Sequence, residues 1–556
     1  MRRVRGAFAI GVVIATVIAI GCKRGRSGDP GGATDTPPAG PGLSMELAPA
    51  DDMRSLFVTI RVTGPEAAGV RSLRATRGWA DVHPIPAVRD LRVSDAAGPI
   101  PVGDPKDEER SSTWPLGRAV TGDRLTIAYT AQAGTEASRL ALHRGASGLS
   151  GIGHAFVVRP AIDAELPLTV KWLASEAGPT LSLATSLEGR ARGTVEDLAS
   201  AVYLAGVWTR EGTPERDEAI VAKGSRIDAR AAAEQASRVR DMAAKAFDLR
   251  DEVSDPARLF VIGERGIGVE HDGASTGGAI ALWLDEGRSF DEGARILVAH
   301  EVLHRVFGGA IRLGIEGYEA AWFAEGLATY HARRMLFEQG AIGPEAFLAD
   351  VERTDGERSA EGHAGDRRAG EYSRGSRYAA LLDFAVRRRS QGRRSLDDVV
   401  RALAVEARRS KDAPIAIETF RAIVAKEIGE GDEKALWEGL VKNRVPEYPD
   451  GVFGPCFRRA VEERKVPELG FDGASLAGRL PVIRGVVPGS AAERAGLRDG
   501  AIVVKSSLRA GQEIDPSKAI ELVVSAGSGK KRIRYEPVAT TRRVVFKPQA
   551  CARAKG

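Results

Sequence analysis

The chain has 556 residues, too many for one hydrophobic core and enough for roughly three to four domains. Its hydrophobic fraction of 43% and charged fraction of 28% are those of an ordinary globular protein. A formal net charge of +5 gives little case for nucleic acid as a partner, and the most basic run, Arg387 to Arg394, has no interleaved aromatics and reads as a solvated helix end.

The first segment is a leader. Arg2, Arg3 and Arg5 precede an apolar run from Ala7 to Ile20, which meets Gly21 and Cys22. A basic start, about fourteen apolar residues and a small residue before the cut describe a secretory signal, and the run is short for a membrane span. Ala19 to Cys22 resembles the lipobox of bacterial lipoproteins, which implies lipidation of Cys22 and an exported chain held in the cell envelope by its N-terminal lipid. A plain signal peptide with a chance cysteine is the alternative. Residues 23–42 are rich in Gly, Pro, Ser and Thr and read as a flexible tether.

From Leu43 to Thr194, short alternating segments such as Leu56 to Val62, Arg124 to Thr130 and Leu168 to Leu173 predict an antiparallel β domain. The composition then shifts. Ala229 to Phe247 predicts a helix, and Arg258 to Gly263 and Gly278 to Leu284 predict strands. Ser289 followed by Glu292 forms a capping-box pattern at the head of a helix expected to run to Phe307 and stop at Gly308. A second helix is expected over Tyr318 to Glu338. Others are expected over Ser376 to Arg389, Leu396 to Arg408 and onward to Lys442, with a linker near Pro446 to Gly451.

Chemistry concentrates on the first of these helices. His300 and His304 stand four residues apart, so both imidazoles share a face and can reach one metal. Glu301 stands beside the first, where a carboxylate can hold and deprotonate a metal-bound water. About twenty residues further on, Glu325 sits among Trp322, Phe323 and Leu327, as on a helix packed on the core. Two histidines, a glutamate and an open fourth position are the ligand set of a catalytic zinc, one ion per chain. A surface glutamate is the plain alternative for Glu325.

H-E-x-x-H followed by W-x-x-E-G-x-x-x-Y resembles the gluzincin metallopeptidases, and within them the glycyl aminopeptidase family. Tyr372 to Gly375, Ala379 to Asp383 and Ser395 to Asp398 resemble that family's Tyr-x-Lys-Gly element and the helices after it, with Arg374 where relatives carry Lys. The resemblance implies Glu301 as general base and Tyr372 as donor to the oxyanion. A packed tyrosine at a helix start is the alternative for Tyr372. One departure stands out. Family aminopeptidases carry an acidic residue shortly after a Gly-Gly pair at the cleft edge, whereas Gly277, Gly278 and Ala279 here lead into apolar residues, and Glu270 is out of register. Gly277, Gly278 and Ala279 are the expected substrate-binding edge.

Further on, Leu469, Gly470 and Phe471 resemble the carboxylate-binding loop of PDZ domains, and Val486 to Leu497 resembles the strand, turn and short helix that follow. This implies a helix over Asp515 to Val524 lining a groove for a peptide C-terminus. A PDZ that binds nothing is the alternative. Cys456 and Cys551 bracket this module. Export places them where a disulfide can persist, while the sequence leaves open whether they meet.

The expected architecture is therefore multidomain α+β. A signal peptide (1–22) and linker (23–42) precede a β domain (43–194), a mainly helical thermolysin-like catalytic domain (195–450) and a PDZ domain (455–550). The expected function is zinc-dependent hydrolysis of peptide or protein substrates, as an aminopeptidase acting on small N-terminal residues. The alternatives are an endopeptidase, or a peptide-binding envelope protein with little turnover.

Overall fold

The computed structural model describes residues 40–551 except 77–87, 109–110, 135–141, 146, 174–180, 265–270, 277, 286, 316–320, 361–366, 411–412, 479, 510, 513 and 527–528. The expected signal peptide with Cys22 and nearly all of the expected tether lie outside the described residues. The chain divides into two compact units, one reaching Tyr448 and one spanning Pro449–Cys551, with the division inside the expected linker. Among the described residues, no helix is long and apolar enough to cross a membrane.

The first unit begins with the expected β region. Gly42–Pro49, Ser55–Thr63, Arg124–Gln132 and Val88–Asp95 lie side by side in a seven-stranded sheet. Alternate residues such as Met45, Leu47, Val58, Ile60 and Ile127 are buried, so the period of two in the sequence becomes one face of the core. One pair departs from the antiparallel expectation, because Gly42–Pro49 runs parallel to Leu166–Trp172. The expected boundary at 194 is also not clean. Val202–Gly206 pairs with both Gly148–Ile152 and Ser182–Thr185, which binds the next region to the β sheets before it.

A five-stranded sheet follows, in the order Trp208–Glu211, Glu218–Ala222, Arg258–Glu264, Ala279–Asp285, His271–Thr276. Its three middle strands are parallel and its two edges antiparallel. The inner strands Glu218–Ala222 and Ala279–Asp285 are buried almost throughout, as apolar runs covered on both faces should be. The helix Ala229–Phe247 matches its expected span. Asp228 caps its start by accepting from the Ala231 amide, and Asp248 ends it in the left-handed conformation at φ 56°.

Three helices then carry the site: the histidine helix Glu292–Leu303, the glutamate helix Ala321–Glu338 and the tyrosine helix Arg367–Arg389. Two expectations change here. The histidine helix is capped by Asp291, whose carboxylate accepts from the Ala294 amide, and Ser289 instead forms a bridge with Arg226. The tyrosine helix starts before Tyr372, so Gly375 lies inside it and does not break it.

The second unit holds a two-stranded ribbon, Phe457–Pro467 with Val538–Pro548, and a three-stranded sheet ordered Ile502–Ser506, Ile520–Ala526, Gly529–Tyr535. Cys456 and Cys551 are joined by a disulfide. The short helix Ala491–Arg494 appears where the PDZ-like segment implies one. The helix expected over Asp515 to Val524 does not. Asp515 and Lys518 form a turn, and Ile520–Ala526 is a strand paired with Gly529–Tyr535 (Leu522 opposite Ile533). The β-branched run Ile520 to Val524 pairs across to the next strand, so the element that the PDZ resemblance places beside a peptide groove is a sheet strand instead.

Candidate metal centre

His300 lies on the last turn of the histidine helix, and His304 caps it with right-handed helical angles (φ −63°, ψ −18°). The four-residue spacing therefore survives the helix end, and the two Nε2 atoms are 3.1 Å apart. The glutamate helix brings Glu325 onto the same point: its Oε2 lies 3.2 Å from His300 Nε2 and 3.1 Å from His304 Nε2. Three donor atoms thus form a nearly equilateral triangle. A tetrahedral ion with ligands at 2.0–2.1 Å spaces its donors about 3.3 Å apart, so these three residues fit a zinc ion closely. Ligand atoms of His300, Glu301 and His304 also fall within 4.8 Å of one another, which places Glu301 at the rim of the same centre.

Charge agrees with geometry. Burial pulls the His300 imidazole below its usual value. Burial would also lower His304, yet the Glu325 carboxylate and its hydrogen bond outweigh it and lift the group to about 9. Burial would raise Glu325, but the charge of His304 and hydrogen bonds from both imidazoles hold it well below the usual carboxylate range. The cluster is a buried anion ringed by imidazole nitrogens, a set suited to a cation.

The surroundings orient these groups. Each imidazole uses its Nδ1 on a neighbour: His304 on the Phe307 carbonyl at 3.3 Å, His300 on the Thr329 hydroxyl at 3.2 Å. The Tyr372 ring stacks on His300 with centroids 5.9 Å apart and an interplanar angle of 25°. Gly326 and Gly375 make this possible. A Cβ on Gly326 would lie 2.3 Å from the Gly375 backbone, so the glutamate and tyrosine helices touch main chain to main chain. Arg374 pairs with Glu371 and donates to the Leu440 carbonyl at 3.3 Å.

Glu301 is fully buried and faces the edge strand His271–Thr276. A Cβ on Gly273 would lie 2.6 Å from Glu301 Oε1, so only glycine leaves room for that carboxylate. Gly278 stands at φ 80° in the turn between the edge strand and Ala279–Asp285, and its carbonyl accepts from Arg305 at 3.1 Å. Ala279 is buried in an inner strand, paired with Arg258 and Thr276, and Gly277 lies outside the described residues. Gly278 lies in the turn of a hairpin, and Gly273 stands against the Glu301 carboxylate.

The structure therefore unites His300, Glu301, His304, Glu325 and Tyr372, and adds Thr329 and Gly273. Thr329 stands four residues after Glu325 on the same helical face, a spacing legible in the sequence once Glu325 is given a role. Gly273 had no such signal, since no strand was expected over residues 271–276.

In the second unit, Gly470 adopts φ 77° and its carbonyl accepts from the Val487 amide at 2.9 Å, while the Leu469 carbonyl accepts from Tyr535 at 2.7 Å. Phe471 is buried in that unit's core. A cavity of about 1270 Å³ lies away from the metal centre, bordered by Met242, Phe290, Met335 and four arginines. Those arginines are committed within the protein: Arg295 to the Ala341 carbonyl, Arg401 to the Ala246 carbonyl, Arg334 to Asp397 and Arg238 to Glu234.

No protein-family model matches the chain, and no curated protein matches it. Solved structures do. An aminopeptidase N family protein from Idiomarina loihiensis is 14% identical with a TM-score of 0.60, over 91% of this chain and 96% of that one. An M1 zinc metallopeptidase from Deinococcus radiodurans (15% identity, TM-score 0.43, 73% of this chain, 95% of that one) scores too low to bear on the fold. So does leukotriene A4 hydrolase from Saccharomyces cerevisiae (12%, 0.45, 73% of this chain, 68% of that one). At such identities the likeness is one of fold, and the chain shares the mixed α/β, multidomain fold of the Idiomarina protein.

Proposed function

We propose that the protein is a zinc-dependent peptidase that hydrolyses peptide bonds, with His300, His304 and Glu325 as metal ligands. The carrying observation is the triangle of 3.1–3.2 Å formed by their donor atoms beside the buried Glu301. A zinc ion held by His300, His304 and Glu325 would supply an acidified water and a polarised scissile carbonyl. Glu301 takes the proton of the attacking water and passes it to the leaving amine. Tyr372, held against His300, is the donor to the developing oxyanion. Gly273 keeps the Glu301 carboxylate in its place.

An aminopeptidase preference is part of this proposal, supported by the fold shared with the aminopeptidase N family protein. So is export with a lipid at Cys22. The leader sequence supports it, and the Cys456–Cys551 disulfide fits an oxidising compartment. The second unit keeps the PDZ-like loop and short helix, but its strand at Ile520–Ala526 offers no groove-lining helix for a peptide.

The test is zinc content and turnover on free and N-acetylated peptides, beside Glu301→Gln. Cleavage of free peptides alone establishes the aminopeptidase, and cleavage of both makes it an endopeptidase. A zinc-loaded protein that cleaves neither would sink the catalytic reading and favour peptide binding.

A further inference from the structure

His300 and His304 are held in different ways. The neighbour of His304 Nδ1 is the carbonyl oxygen of Phe307, which can only accept. That nitrogen must carry the proton, and Nε2 is left with its lone pair for a metal. No side-chain substitution removes this contact, because it belongs to the main chain. The neighbour of His300 Nδ1 is the Thr329 hydroxyl, which can donate or accept. With Nε2 turned to a metal, Nδ1 carries the proton, and this one side chain is its acceptor.

Thr329 is also well placed to accept that proton. It lies one helical turn after Glu325, so a single helix holds both ends of the His300 ring: Glu325 Oε2 at Nε2 and Thr329 Oγ1 at Nδ1. Thr329 is 5% exposed and His300 is 7% exposed, so bulk water does not readily replace the hydroxyl. The Tyr372 ring stacks on one face of the imidazole, leaving the Thr329 contact to hold the Nδ1 edge while Nε2 faces Glu325.

We infer that Thr329 is a positioning residue for the metal: its hydroxyl accepts the Nδ1 proton of His300 and so presents Nε2 as a ligand. This rests on the zinc reading above. The groups that orient metal-bound imidazoles contribute about 10- to 100-fold to metal affinity.

The experiment is chelator competition for zinc on the full chain, wild type against Thr329→Val, Thr329→Ala and Thr329→Ser. Melting of the metal-free proteins checks the fold. The two apolar variants differ in size, so that one unfit for the core does not silence the other. Zinc dissociation constants raised 10- to 100-fold in Val or Ala, with Ser within about twofold of wild type, are the expected result. A cobalt-substituted spectrum altered in Val or Ala and restored in Ser would report the same change in the ligand field. Wild-type affinity in a folded Val or Ala variant would overturn the role of Thr329 and leave the zinc reading standing. A wild-type protein that binds no zinc would overturn the zinc reading itself.

Discussion

Gly375 lies against the main chain of Trp322: a Cβ there would sit 2.0 Å from the Trp322 carbonyl oxygen. Glycine at this point lets the tyrosine helix approach the glutamate helix closely enough for Tyr372 to stack on His300. Gly375→Ala should therefore cost about 1–3 kcal/mol of stability, as overpacking does, and shift Tyr372 from its place. Thermal melting and turnover should both fall. An alanine variant with wild-type values of both would show that the helices do not need the close approach.

Glu301→Gln keeps the shape of the side chain and removes its basicity. Zinc content should stay near one ion per chain while turnover falls by about 10²–10⁴-fold. Metal analysis beside a single-turnover assay separates the two effects.

Gly273→Ala tests the edge strand. The added methyl would displace the Glu301 carboxylate, so kcat should drop by an order of magnitude or more with zinc retained. Gly278→Ala should instead act on stability, because Gly278 is a turn residue at φ 80°.

His154 gives a pH dependence away from the site. Its Nδ1 and Nε2 face the Thr76 and Ser200 hydroxyls at 3.3 Å, with Glu196 at 3.8 Å and Arg159 nearby. Burial, aided by the Arg159 charge, lowers its pKa to about 4 from an ordinary 6.5. The unfolded chain thus binds the proton more readily, and stability is full above about pH 6.5 and lost as pH falls toward 4. The loss is about 3 kcal/mol. His154→Gln should flatten the melting temperature across that window. An unchanged slope would refute the assignment.

Reduction of the Cys456–Cys551 bond, or Cys551→Ser, should destabilise the second unit by up to about 5 kcal/mol, the chain-entropy value for so long a loop. Denaturant unfolding with and without reductant measures it.

The residues that chemistry demands were legible in the sequence, because helical spacing alone puts His300 and His304 on one face and a packed helix must carry Glu325. Ala229–Phe247 was legible to its ends, where its cap and its periodicity agree. Glycines were less legible, since their meaning lies in what approaches them: Gly375 lies inside a helix expected to begin only at Ser376, and Gly273 stands against the Glu301 carboxylate. Ser289 and Asp291 both suit a helix cap, and the bridge from Arg226 to Ser289 leaves Asp291 to cap. The strand Ile520–Ala526 depends on a partner strand, which local pattern does not reveal.

The ribbon of the second unit pairs its first strand with its last, Phe457 opposite Pro548, so the unit's chain returns to where it began. A body whose two ends lie side by side can be excised, or spliced into a surface loop of an unrelated protein, without stretching either connection. Residues 449–551 are thus a portable module, whose bridged ends would hold together a chain nicked anywhere between them.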